Sequence, residues 1–275
     1  INQRTFANYN TESNLLNLKA YQNYDLLIMG ISHARNFSRH KNHQRIEQIL
    51  NKRIINLGQG NGVCGVNEQL FYLDYFYHKE NKSQKLVYFI SPPLFFSGAL
   101  ALSTNTFDHE PFEWDFFRRY RNFPAEQHQE RMVSYLQSKY NPRWLLNKPF
   151  SLDRMDEQMM GIDSVVVKAG FRQAYGAALN MERFAQSTKQ FKATIELALA
   201  HQTEVILVIP PALFGKWDGH QEVAAFAQEL AKSEMVSYYD FSEAVLEPQY
   251  YYDHHHLNTD GVVFFTEEYL KPVVL

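Results

Sequence analysis

A serine near one end of the chain and an Asp-x-x-His pair near the other are the residues best suited by type and spacing to do chemistry. Ser32 stands in Gly30-Ile31-Ser32-His33, after an apolar run and before a helical pattern, which predicts a strand-to-helix turn. There a hydroxyl projects at the sheet edge, beside helical N–H groups whose dipole favours developing negative charge. Serine is also the ordinary cap of a helix, and the motif alone does not separate the two roles. Asp253 and His256 lie three apart in Tyr252-Asp253-His254-His255-His256-Leu257-Asn258-Thr259-Asp260-Gly261, a loop leading into the last helical pattern. This spacing lets the carboxylate orient the imidazole through one ring nitrogen and leaves the other free to take a proton from a serine. Without such a base a serine hydroxyl is a weak nucleophile.

Two competing chemistries have to be weighed. The histidine run also reads as a metal site with Asp253, His254 and His256 as ligands. Adjacent side chains diverge, however, and no second cluster with metal-ligand spacing is seen in the sequence, so no metal is expected. The second glycine-bearing loop, Asn56-Leu57-Gly58-Gln59-Gly60-Asn61-Gly62, precedes a helical pattern and lets backbone N–H groups approach a ligand. A phosphate loop would need Lys followed by Ser or Thr after the glycines, and neither is there. No cofactor is expected.

The elements that must position these residues follow from periodicity. Apolar, β-rich runs at 25–30, 53–57, 86–91, 204–210 and 236–241 read as buried parallel strands. Helical patterns fall at 34–50, 63–78, 181–201, 221–232 and 259–270. Strand alternating with helix predicts an α/β fold, a three-layer α/β/α sandwich on a five-stranded, mainly parallel sheet. Ligands of such sheets collect at the carboxyl ends of the strands, beside the topological switch point. Strands three and four are separated by far more chain than one crossover helix needs, which predicts a helical insertion, cap-like over about 94–180, within a single domain of 1–275. Helical patterns at 113–120 and 125–139, with many aromatics, either cover the site or pack on the sheet edge.

Composition narrows the function classes. A hydrophobic share of 45% supports a sizeable core and excludes a disordered chain. A formal charge of -3 without a basic run gives no footprint for nucleic acid, and none is expected as a partner. The longest apolar runs fall far short of the roughly 20 residues that cross a bilayer, so no membrane span is expected. One cysteine, Cys64, leaves the redox compartment open.

Together, Gly30-x-Ser32, the glycine-rich second loop, and Asp253-x-x-His256-Leu257-Asn258 with Gly261 resemble the SGNH (GDSL-like) hydrolase superfamily, over about the first 65 and last 40 residues. The resemblance implies a flavodoxin-like sheet and an acyl-enzyme, with Ser32 as nucleophile, His256 as general base and Asp253 as its orienting carboxylate. It implies an oxyanion hole from the Ser32 N–H and a glycine N–H, Gly60 by loop position or Gly58 in its place, with Asn61 as a side-chain donor. The first block reads Gly-Ile-Ser-His rather than Gly-Asp-Ser-Leu, and strand three ends in Ser91-Pro92-Pro93 where many members have an oxyanion-hole asparagine. In this it is similar to the divergent branch holding polysaccharide O-acetyltransferases and the teichoic-acid D-alanylation protein. That branch implies esterase or O-acyltransferase activity on a glycan or cell-envelope polymer ester, and a membrane-bound acyl-donor partner. It also implies a periplasmic or cell-surface location behind a removed N-terminal signal or anchor, an expectation that fits a chain starting at Ile1. The alternative is a non-catalytic carbohydrate-binding module on the same scaffold.

Overall fold

The aliphatic runs become strands because each alternates between two buried faces, so both sides of the sheet must be covered by helices. The structure is a computed structural model that describes residues 11–60, 63–140 and 154–275. Its first half runs β1 Asn23–Gly30, α1 Ser32–Asn36, α2 Asn42–Leu50, β2 Ile54–Asn56, α3 Val66–His78 and β3 Lys82–Phe89. Between β3 and the fourth strand come α4 Pro92–Phe96, α5 Gly98–Ala101, α6 Trp114–Arg121, α7 His128–Tyr140, α8 Ser164–Tyr175 and α9 Met181–Ala200. The chain ends with β4 Glu204–Ile209, α10 His220–Leu230, β5 Val236–Asp240, α11 Thr259–Phe265, a π turn Thr266–Leu270 and α12 Lys271–Val274.

The strand order is β2-β1-β3-β4-β5, every pair parallel, with Leu27 opposite Leu86 and Val87 opposite Ile206. The α/β expectation is met, and the strands fall where the apolar runs place them. Leu27, Met29, Leu86, Tyr88, Val205 and Leu207 face one core with Phe71 and Phe76 of α3 and Phe191 and Ile195 of α9. Leu26, Ile28, Val87, Phe89, Ile206 and Val208 face the other, with Ala34, Phe37, Ile46, Val262 and Phe265. The order reverses between β1 and β3, so the switch point lies where β1 ends and Ser32 begins.

The helix expected over 34–50 is instead two helices. His40 and Lys41 between them take left-handed backbone angles, φ 52° and 64°, and Asn42 Nδ2 donates to the Asn36 carbonyl at 2.9 Å. The stretch from Ser38 to Asn42 is polar, so no apolar stripe holds it helical.

The long segment between β3 and β4 divides in its contacts. Phe116 and Tyr120 of α6 pack edge-to-face on Phe71 of α3, and Arg119 forks onto Asp74 at 2.6 and 2.8 Å. Residues 154–163 instead border the loop that carries Asp253: Met159 N–H donates to the Tyr251 carbonyl and Arg154 Nη2 to the Tyr252 carbonyl. No helix among the described residues is long and apolar enough to cross a membrane.

Candidate active site

Ser32 is placed by the residue two before it. Gly30 has φ +137°, and a Cβ there would lie 2.7 Å from the Phe89 carbonyl oxygen of β3. Only glycine brings β1 this close to its neighbour and turns the chain at once into α1. Ser32 opens that helix, and the first helical bond runs from Arg35 N–H to the Ile31 carbonyl, so the Ser32 amide belongs to the first turn, which has no intrahelical acceptor.

The histidine loop is closed at its base. Tyr251 and Leu257 form an antiparallel bridge, Tyr252 N–H donates to the His256 carbonyl, and Leu213 N–H from the loop after β4 donates to the His254 carbonyl. Asn258 then caps α11, its Oδ1 accepting Gly261 N–H at 2.9 Å. Inside the loop Asp253 Oδ1 accepts the N–H groups of His255 and His256 at 3.0 and 2.9 Å. That leaves Oδ2 for the His256 ring, whose Nδ1 lies 2.8 Å away. His256 Nε2 lies 2.7 Å from Ser32 Oγ. With the ring proton on Nδ1 facing the carboxylate, Nε2 accepts from the serine hydroxyl.

Burial pushes the Asp253 carboxyl up, but the His256 imidazole, through charge and hydrogen bond, with His255 behind it, outweighs this and holds it well below the usual carboxylate range. Asp253 therefore stays an anion beside His256 and favours the imidazolium that forms when the ring takes a proton. Tyr252 stacks on the His256 ring at 5.4 Å and 10°, and Asn36 Nδ2 donates to the Tyr252 hydroxyl and the Leu257 carbonyl, both at 3.3 Å. These contacts fix the ring plane.

The glycine donors expected for an oxyanion hole are otherwise engaged. Gly58 N–H donates to Asn56 Oδ1 at 2.7 Å, and Gly60 N–H to Glu12 Oε2 at 3.2 Å. Glu12 is buried, ion-paired with Arg39 and 4.0 Å from Arg35 Nε, so the acceptor on Gly60 is a fixed internal carboxylate. Asn61 lies outside the described residues. Ser32 N–H is the expected donor that stands at the helix start.

Several neighbours carried no signal of their own in the sequence. His33 is 6% exposed, and neither ring nitrogen has a hydrogen-bond partner among the described residues. Burial, then the His256 and His255 imidazoles, keep it neutral. Its ring centroid lies 5.1 Å from His256 and 5.6 Å from His255, and the Trp217 indole meets His255 edge-on at 5.2 Å. His254 turns away and accepts the Asp163 N–H at its Nε2, 2.9 Å. Only adjacency to Ser32 and Asp253 hinted at these roles.

A doubly wound parallel sheet with a serine, an imidazole and a carboxylate hydrogen-bonded in a row at its strand ends is the class that this fold and geometry define, and such a row can activate a hydroxyl as a nucleophile. Among solved structures the chain is similar to a Bacteroides fragilis protein provisionally named an acylhydrolase, with TM-score 0.46 and 13% identity over 98% of this chain and 94% of that one. It is also similar to a Bacteroides thetaiotaomicron protein named a GDSL-like lipase, with TM-score 0.45 and 12% identity over 99% and 97%. No family model matches the sequence, and no curated protein matches it.

Proposed function

We propose that the protein is a serine-dependent acyl-ester hydrolase or O-acyltransferase. The observation that carries this reading is the 2.7 Å contact between Ser32 Oγ and His256 Nε2, backed by the 2.8 Å contact from His256 Nδ1 to Asp253. Ser32 Oγ attacks the ester carbonyl as its proton passes to His256 Nε2, and the tetrahedral oxyanion accepts the Ser32 N–H. Collapse breaks the bond to the leaving alcohol, which takes the proton back from His256 and leaves an acyl-serine. Water or a sugar hydroxyl then repeats the sequence in reverse, regenerating Ser32. Exclusion of water from the acyl-enzyme decides between hydrolysis and transfer. The motif resemblance favours a glycan or cell-envelope polymer ester as substrate and a membrane-bound partner as acyl donor.

A fluorophosphonate probe is expected to label Ser32, and nitrophenyl acetate hydrolysis to fall at least about 10³-fold in Ser32→Ala while the far-UV and near-UV spectra stay unchanged. Folded wild-type protein that stays unlabelled across several pH values overturns the reading.

A further inference from the structure

We infer that the histidine loop is also a binding site for a divalent transition metal of the zinc class, formed by Asp253, His255 and His256, and that metal binding and serine activation exclude one another. One ligand atom from each of the three residues lies within 4.8 Å of the others. Asp253 Oδ1 is 3.5 Å from His255 Nδ1, and Asp253 Oδ2 is 2.8 Å from His256 Nδ1, so both imidazoles turn the same nitrogen toward one carboxylate. The side chains are 26%, 31% and 13% exposed, which leaves an ion a path from solvent.

His33 lies against this cluster: it is buried, and its ring centroid is 5.1 Å from that of His256 and 5.6 Å from that of His255. Imidazole nitrogens with one carboxylate suit zinc, which takes four such ligands at about 2.0–2.2 Å; magnesium and calcium prefer all-oxygen shells. The set differs from the one the sequence offered, because His254 is committed to Asp163 and His255 takes its place.

Exclusion follows from the tautomer. A metal on His256 Nδ1 displaces the bond to Asp253 and moves the proton of the neutral ring to Nε2. A nitrogen that already carries a proton cannot accept one from Ser32 Oγ. The inhibitory half of this inference rests on the serine reading given above; the binding half does not.

The test titrates Zn²⁺ into the whole chain at neutral pH in competition with a chromophoric chelator, and follows fluorophosphonate labelling in parallel. One Zn²⁺ per chain is expected, weakened about tenfold or more in His255→Ala and in His255→Gln, retained in Ser32→Ala, and not displaced by Mg²⁺. Zinc is expected to slow wild-type labelling at least about tenfold, a chelator to restore it, and labelling of His255→Ala to be insensitive to zinc. Zinc held no more tightly by wild type than by both His255 variants overturns the site, and labelling at an unchanged rate with the site loaded overturns the exclusion. If wild type is never labelled, even without metal, the serine reading fails and the titration alone decides the metal site.

Discussion

Asp253 divides its two oxygens between its own turn and the imidazole it orients. Oδ1 takes two backbone N–H groups and Oδ2 takes His256 Nδ1, so the loop and the ring are fixed by one carboxylate. In Asp253→Asn the amide oxygen can still accept the backbone N–H groups, while the amide nitrogen meets Nδ1 as a donor. The ring must then present Nε2–H to Ser32, which is the wrong tautomer. Loss of about 10³- to 10⁴-fold in turnover is expected with thermal unfolding little changed, checked by steady-state kinetics beside a melting curve. A matching collapse of the folded state would assign Asp253 to the loop's architecture instead.

At the scale of elements, the join between β1 and α1 decides where the hydroxyl stands. Gly30 combines a positive φ with an approach to Phe89 that leaves no room for a methyl group. Gly30→Ala is expected to cost about 3 kcal/mol in urea unfolding and to slow probe labelling of the remaining folded protein, because relief of the clash shifts Ser32 away from His256. Unchanged labelling with reduced stability would show that α1 is held by its packing under Phe37 rather than by this turn. The break between α1 and α2 belongs to the same scale: it frees Arg39 to meet Glu12, and Glu12 in turn occupies the Gly60 amide.

Across the whole molecule, the segment between β3 and β4 is tied to α3 by a buried contact between a carboxyl and a guanidinium. Glu68 Oε1 and Arg131 Nη1 lie 2.6 Å apart with side chains 1% and 0% exposed, and Arg131 also donates to the Ala101 and Ser103 carbonyls. Burial pushes the Glu68 carboxyl up to about 7, against the pull of Arg131. The folded state therefore holds a proton that the unfolded chain releases near 4.5, so this group's contribution to stability is full below that value and declines as pH rises toward 7. The slope is on the order of 1.4 kcal/mol per pH unit within that window. Urea midpoints between pH 5 and 7 are expected to fall for wild type relative to Glu68→Gln; parallel profiles would show that Arg131 keeps the carboxylate ionised throughout.

The sequence by itself determined the alternation of strands and helices, the serine at a strand-to-helix turn, and the Asp-x-x-His loop, because hydrophobic period, turn residues and a three-residue spacing are local properties. Tertiary structure alone decided that Ser32 and His256, 224 residues apart, meet at 2.7 Å. It also decided that Glu12 takes the Gly60 amide, that His254 turns to Asp163, and that α6 lies on α3 while residues 154–163 border the histidine loop. Each of these is a choice of partner across distant segments, made by chain crossing and burial, and no local pattern of residues encodes it.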